Sequence, residues 1–325
     1  MKHLLTVFCC CAVGLLSAQE IEETQPTQSN IQTYTPSKLL SKGQWDIKWF
    51  NNLYTETKSV NENKVITTID RQNFFTASLD IFTGVSDNNR LNLGLLLEYR
   101  SNTNRGETIL APFSFKNDPF KRSGLSSIAP AIKFVPFPAI ERFAIQTAFS
   151  IPLFKNEVEE GVYLDQKEYT FQNRFFYDYL APNGVIQIYS ELNTELNFGD
   201  TTASFANDSF RLTPGLFVSY FPNPNTTVLG LVQHSQLINI EYRKTLVEQK
   251  WFAVQWSFFS DNAGIQAPGE QLNSLVKSKN RHHFAGVGLR FIHKYIYRAV
   301  LRLDYGIALH GQKRSGLVFG VGQYF

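Results

Sequence analysis

The chain is short of the features on which soluble domains and helical membrane proteins usually depend. Its three cysteines, Cys9, Cys10 and Cys11, stand together near the start, so the remainder has no thiol for a disulfide framework or a spaced metal site. Charged residues make up only 18%, against ~25% in ordinary soluble chains. The formal charge of +3 provides neither a nucleic-acid footprint nor an acidic tail. The one long apolar run, Leu4–Leu16, holds 13 residues, too few to cross a ~30 Å hydrocarbon core as a helix. With a mean hydropathy of −0.19, a bundle of membrane helices is excluded. No long segment carries a stripe at the 3.6-residue helical period.

What is present is aromatic. The chain has 28 Phe, 14 Tyr and 4 Trp. Lys2 and His3 precede the apolar run, and Ser17-Ala18-Gln19 follows it. A positive start, an apolar centre and a small residue before a polar one read as a secretory signal peptide over 1–18, cleaved after Ala18. All three cysteines leave with it. Gln19, where a lipoprotein would need cysteine, argues against lipidation. Residues 19–40, rich in Gln, Thr and Pro, have little to bury and read as a flexible periplasmic lead-in.

From Gln44 onward the dominant period is two. Trp45, Ile47, Trp49 and Leu53 alternate with Gln44, Asp46, Lys48 and Asn52; Leu91, Leu93, Leu95, Leu97 and Tyr99 alternate with Asn92, Gly94, Glu98 and Arg100. Similar runs follow to the end. A soluble β-sandwich would alternate too, but its strands have a mode of ~5–6 residues, whereas these runs are longer and suit the ~9–11 residues of a tilted membrane strand. Short polar turns alternate with longer connections at 57–70, 101–124, 155–167, 199–208 and 260–281, the asymmetry of an outer-membrane barrel. The pattern predicts an all-β chain: one closed antiparallel transmembrane barrel over 41–325 with about 14 strands. A hairpin near Ser235 decides between 14 and a fallback of 12. Pro130 and Pro214, inside expected strands, predict bulges or frayed ladders.

The chain closes on Gly316-Leu-Val-Phe-Gly-Val-Gly-Gln-Tyr-Phe325, with Leu317, Phe319 and Val321 alternating and an aromatic Phe325 last. This resembles the C-terminal signal that the bacterial outer-membrane assembly machinery captures, which makes that machinery an expected partner. The last ~90 residues also resemble the Omp85 (surface antigen D15-like) barrel, through Ile240-Glu-Tyr-Arg243, Phe258-Phe-Ser-Asp-Asn-Ala-Gly264, Gly286-Val-Gly-Leu-Arg290, Leu301-Arg-Leu-Asp-Tyr-Gly306 and Phe319-Gly-Val-Gly-Gln-Tyr-Phe325. That family assembles or translocates outer-membrane proteins with periplasmic POTRA domains and a Val-Arg-Gly-Phe/Tyr loop motif. The segment before Gln44 is too short for a POTRA domain, and Arg105-Gly106 does not supply the motif. The resemblance therefore implies topology and membrane more than insertase activity. Residues 44–225 resemble only outer-membrane barrels of the Bacteroidetes type.

If the apolar parity faces lipid, Glu241, Arg243, Arg290, Arg302 and Asp304 face inward on neighbouring strands. They form either a charged constriction or an ion-pair ladder that fixes register, and the ladder is the simpler reading. Trp45, Trp49 and Trp251 suit an interfacial aromatic girdle, and Trp256 a mid-membrane position facing lipid. Adjacent His282 and His283 point to opposite faces and cannot share a metal. Glu157, Glu159, Glu160 and Asp165 read as a solvated acidic loop rather than a Ca²⁺ site. Lys277, Lys279 and Arg281 are candidates for lipopolysaccharide phosphates, or are simply solvated. No nucleophile triad or phosphate loop is apparent, so no enzyme, cofactor, metal or nucleic acid is expected. The expected setting is the outer membrane after Sec-dependent export, in contact with its lipid and lipopolysaccharide. The first functional expectation is a passive pore or solute channel. The alternatives are an Omp85-related accessory partner in assembly or secretion, and an adhesin with binding loops. Solute and oligomeric state do not follow from the pattern.

Overall fold

The computed structural model describes residues 36–60, 66–106, 108–116, 118–140, 142–199, 209–233, 237–264, 281–294, 299–309 and 315–321. The elements are β1 (Trp45–Val60), β2 (Ile66–Gly84), β3 (Leu91–Thr103), β4 (Lys121–Phe134), β5 (Phe143–Pro152), β6 (Val158–Glu159), β7 (Val162–Tyr163) and β8 (Glu168–Leu180) in the first half. They continue with β9 (Ile186–Gly199), β10 (Ser209–Asn223), β11 (Thr226–Gln233), β12 (Leu237–Glu248), β13 (Phe252–Gly264), β14 (Arg281–His293), β15 (Ala299–Ala308) and β16 (Ser315–Val321). Fourteen of these strands close into one barrel in which each pairs antiparallel with its neighbours along the chain, while β6 and β7 form a separate two-stranded hairpin. The expected all-β closed barrel is the observed one, and 226–247 is the hairpin β11–β12, so the count is 14 rather than 12. The signal peptide expected over 1–18 lies outside the described residues.

Alternation decides which side chain faces which solvent. Trp45, Ile47 and Trp49 on β1, Leu91 and Leu93 on β3, and Leu301, Leu303, Tyr305 and Ile307 on β15 all project outward and are exposed. The opposite parity carries Asn92, Gln146, Asp178, Gln187, Asn197, Ser257, Arg290 and Asp304, all buried. An apolar outer wall around a polar interior is the inverse of a soluble protein. Apolar area on this scale, left uncovered, is the mark of a surface that meets something oily.

The ladders are longer than the apolar pattern alone implies. Residues 57–70 were expected as an open connection, yet β1 and β2 stay paired through Lys58↔Thr68 to Val60↔Ile66, leaving only 61–65 between them. Backbone hydrogen bonds need no apolar side chains, so a hairpin can outrun the belt that its sequence reveals. The prolines behave differently from each other. At Pro130 the β4–β5 ladder skips from Ile128↔Ile151 to Ala131↔Ala148, as a missing donor requires. Pro214 sits in an unbroken ladder opposite Leu192, and its other neighbour, β11, is paired only from Gly215 onward. The bulge in β4 falls instead near Ser126, where the register to β3 shifts between Glu98 and Tyr99.

Three segments leave the barrel wall. The β3–β4 connection folds over the outside, where a 3₁₀ turn at Ala111–Phe113 places Phe113 against outward-facing Phe75 with ring centroids 4.7 Å apart. There the Pro112 carbonyl accepts from Ser101 Oγ at 2.8 Å. The β5–β8 connection folds inward. Residues 36–43 do so as well, so the last part of the lead-in expected to be flexible over 19–40 is instead packed against the inner wall. Ser37 is buried and donates its backbone N–H to Asp178 Oδ2 at 2.9 Å, and its hydroxyl bonds the same oxygen. Leu40 packs on the inner cluster of Phe82, Ala129, Ala131 and Ala148. Gly84 is required here, because a Cβ on it would stand 2.2 Å from the Ser41 carbonyl oxygen.

Candidate functional site: the barrel lumen

The interior is built by strands placing every second residue inward, so its chemistry is read around the ring. The upper part, at the end with the long connections, is shaped by the β5–β8 segment. Glu160 and Gly161 take positive φ of 49° and 77°, the geometry of a tight two-residue hairpin turn, and this turn lets β6 and β7 pair. The inward side chains of β3 and β4 then anchor the hairpin. Asn102 Nδ2 donates to the carbonyls of Tyr163 (2.8 Å) and Leu164 (3.0 Å). Arg122 Nη1 donates to the Glu157 carbonyl at 2.8 Å and Arg122 Nη2 pairs with Glu159 at 3.1 Å. Val162 and Leu164 are thereby buried. Of the acidic loop expected to be solvated, Glu159 and Glu160 are exposed, whereas Asp165 is drawn inward to Arg100 and the Glu157 carboxylate accepts from the Lys167 backbone N–H.

Beneath the hairpin lies a luminal cavity of about 460 Å³, lined by residues from β2 round to β10. Arg100 spans Glu98 (2.6 Å) and Asp165 (3.0 Å). From β10, Arg211 spans Glu168 and Glu195, both at 3.7 Å. Asp165, in the connection ahead of β8, is pushed up to about 6, chiefly by burial and with Glu98 adding repulsion against the pull of Arg100. Tyr163 is pushed up to about 12, by burial first and then by the Asp165 carboxylate.

Below the cavity aromatic rings face the lumen. Phe176 and Tyr189 lie 6.4 Å apart and Tyr189 and Phe217 5.0 Å apart. Lys133 and Arg174 sit over the Phe176 ring at 5.1 and 5.0 Å, and Arg174 also pairs with Glu191 at 2.6 Å.

The inward cluster anticipated from sequence is brought together as one chain of ion pairs. Arg243 meets Glu241 at 2.7 Å, Glu241 meets Arg290 at 2.7 Å, Arg290 meets Asp304 at 2.6 Å, and Asp304 meets Arg302. Side chains of Glu241, Arg290 and Asp304 are almost fully buried. Gly288 makes room for it, since a Cβ there would lie 2.0 Å from Asp304 Oδ1. Every charge in the chain has a partner, and none of it lines the upper cavity. Sequence reasoning thus found this cluster and missed Arg100, Asp165, Glu168, Glu195 and Arg211 as a set. A signal for part of it existed in the loop: Val158, Val162 and Leu164 around Glu160-Gly161 are a hairpin pattern inside what looked like a polar connection.

Trp45, Trp49 and Trp256 keep the outward parity, and Trp251 lies in the turn ahead of β13 against the rings of Phe252 and Phe291. Trp45, Trp49 and Trp251 are exposed at 64%, 53% and 47%. Trp256 faces outward between Phe258 and Tyr242, with ring centroids 4.2 and 6.2 Å away. Leu317 and Phe319 on β16 are exposed, Val321 pairs with Asn51 of β1 at the closing seam, and Phe325 lies outside the described residues. His283 contacts Ser260 Oγ at 3.0 Å. Among the described residues no group of three His, Cys, Asp or Glu is placed to hold a metal. Lys277 and Lys279 lie outside the described residues.

No protein-family model matches the chain, and no curated protein matches it; the Omp85 resemblance therefore gains no support. Among solved structures, an outer membrane channel from Pseudomonas putida F1 is 10% identical over 93% of this chain and 98% of its own, with a TM-score of 0.43. OprB from Pseudomonas putida is 9% identical over 85% and 93%, TM-score 0.39. OmpF from Salmonella typhi is 8% identical over 88% and 97%, TM-score 0.38.

Proposed function

We propose that this chain is an integral outer-membrane barrel that lets small polar solutes pass by diffusion, with its narrow zone set by the inward β5–β8 segment. One observation carries the reading: a charged cavity of about 460 Å³ lies inside a closed ring whose outer wall is apolar. A barrel whose purpose were mechanical or adhesive would have no need to keep a charged hollow at its centre, since filling it with packed side chains is more stable. The Trp45, Trp49 and Trp251 side chains serve as interfacial anchors toward lipid and lipopolysaccharide. The Leu317, Phe319, Val321 and Phe325 row serves as the strand presented to the assembly machinery after Sec-dependent export. The buried Glu241–Arg290–Asp304 chain serves as a register lock. Purified protein reconstituted into planar bilayers tests the function: discrete conductance steps are expected, and a barrel that inserts yet never conducts overturns it.

A further inference from the structure

The carboxylates lining the upper cavity outnumber the cations available to them. Asp80 faces Lys48 across the β1–β2 ladder, but Glu98 and Asp165 share the single guanidinium of Arg100, and Glu168 and Glu195 share that of Arg211. Glu168 adds an independent sign. Its side chain is only 10% exposed, it lines the cavity, and its Oε2 atom has no hydrogen-bond donor among the described residues. A buried carboxylate oxygen without a donor is costly, and an N–H group entering the cavity would relieve it. The four acids do not converge on a point, since among the described residues no three of them form a metal-holding group. They stand instead as two pairs, Glu98 on β3 with Asp165 in the β5–β8 connection, and Glu168 on β8 with Glu195 on β9. Three strand spacings separate Glu98 on β3 from Glu168 on β8, roughly 15 Å of arc at about 4.8 Å a spacing, and Asp165 precedes Glu168 by only three residues, so the pairs adjoin and the chord between them is shorter. Between them lie the polar groups of Ser127, Ser150, Thr170 and Gln172.

We propose that this cavity is a binding site for a linear polyamine, one ammonium group lying at the Glu98–Asp165 pair and another at the Glu168–Glu195 pair. The assignment deepens the channel reading, on which its transport meaning rests, by giving the path a preferred class of solute. A metal ion is a point charge and reaches one pair only. An anion meets the excess of carboxylates. A flexible chain carrying separated ammonium groups satisfies both pairs, and its methylenes can pass the aromatic rings of Phe176, Tyr189 and Phe217 below.

The experiment is calorimetric titration of the full barrel in detergent with spermidine, run beside magnesium at matched ionic strength, and conductance in bilayers with and without spermidine. Expected are saturable spermidine binding, block of the conductance, and at least tenfold weaker binding in the Glu98→Gln/Glu168→Gln double variant. Asp165→Asn, outside the barrel wall, is expected to weaken binding in the same direction and serves if the double variant does not fold. Binding without conductance would remove the channel reading and support the site. Conductance without spermidine binding, or magnesium binding as tightly and with the same response to the variants, would overturn the site and leave the channel.

Discussion

At the scale of single residues the interior is a set of charges whose states depend on their neighbours. Asp165 is held high, to about 6, because burial disfavours its charged form and Glu98 repels it. A raised carboxyl is ionised above that value and neutral below it, so one negative charge leaves the cavity as the pH falls from 7 to 5. Cation-over-anion preference, read from reversal potentials in a salt gradient, is therefore expected to decline over that interval. In Asp165→Asn the decline should be absent. Arg290 shows the opposite logic, binding Glu241 and Asp304 at 2.7 and 2.6 Å in a buried setting. Removing one partner from a buried pair leaves an uncompensated charge and costs about 3–5 kcal/mol. Arg290→Met is thus expected to lower the stability of the refolded barrel by about that amount, measured as the shift of its urea unfolding curve. A change under about 1 kcal/mol would mean that water reaches the cluster and screens it.

Two elements shape the path, and neither belongs to the barrel wall. The β6–β7 hairpin is held by Asn102, Arg122 and Arg100, so shortening the 156–163 segment to a plain turn is expected to raise single-channel conductance severalfold. An unchanged conductance would place the narrow zone elsewhere. The other element is the stretch 36–43, fixed to Asp178 by Ser37 and to β2 through Gly43 N–H donating to the Gly84 carbonyl at 2.9 Å. It enters at the end with the short turns, opposite the hairpin. Deleting 36–41 is expected to enlarge the conductance further and to leave the closed barrel intact, since none of these residues joins the main ladders. Asp178→Ala should give part of that gain, because it removes the acceptor for both Ser37 donors.

For the molecule as a whole the decisive event is closure. β1 meets β16 through Asn51↔Val321, Asn52↔Gly320 and Leu53↔Phe319, among the described residues a much shorter ladder than β1 makes with β2. Opposed residues of an antiparallel ladder have Cα atoms ~4.5–5.5 Å apart, within disulfide range. With no cysteine after Cys11, the pair Asn52→Cys and Gly320→Cys is a clean probe. Oxidation is expected to link it in the folded barrel and to yield a product of altered mobility on a denaturing gel that reductant reverses. Failure to link in a folded sample would mean that the seam is open or shifted in register.

How far the sequence could be read follows from the range of the interactions concerned. The period of two is a property of adjacent residues, so strands, faces and the inward parity of Glu241, Arg243, Arg290, Arg302 and Asp304 were present in the order of residues, while the choice of fourteen crossings over twelve waited on the β11–β12 hairpin. Those five lie on β12, β14 and β15, no more than two strands from one to the next, and neighbouring strands in this topology are neighbours in sequence. The cavity was not legible in the same way. Arg100 and Asp165 come from opposite sides of β4 and β5, and Ser37 meets Asp178 across 141 positions. Whether a connection folds outward, as the turn at Ala111–Phe113 does, or inward, as 153–167 does, depends on which polar groups the barrel rim offers it. Local polarity looks the same in both cases. The sequence by itself determined a ring with an oily outside and a polar inside, because alternation is local. Only the tertiary structure decided what stands in the opening, because closing the ring is what brings distant charges to face one another.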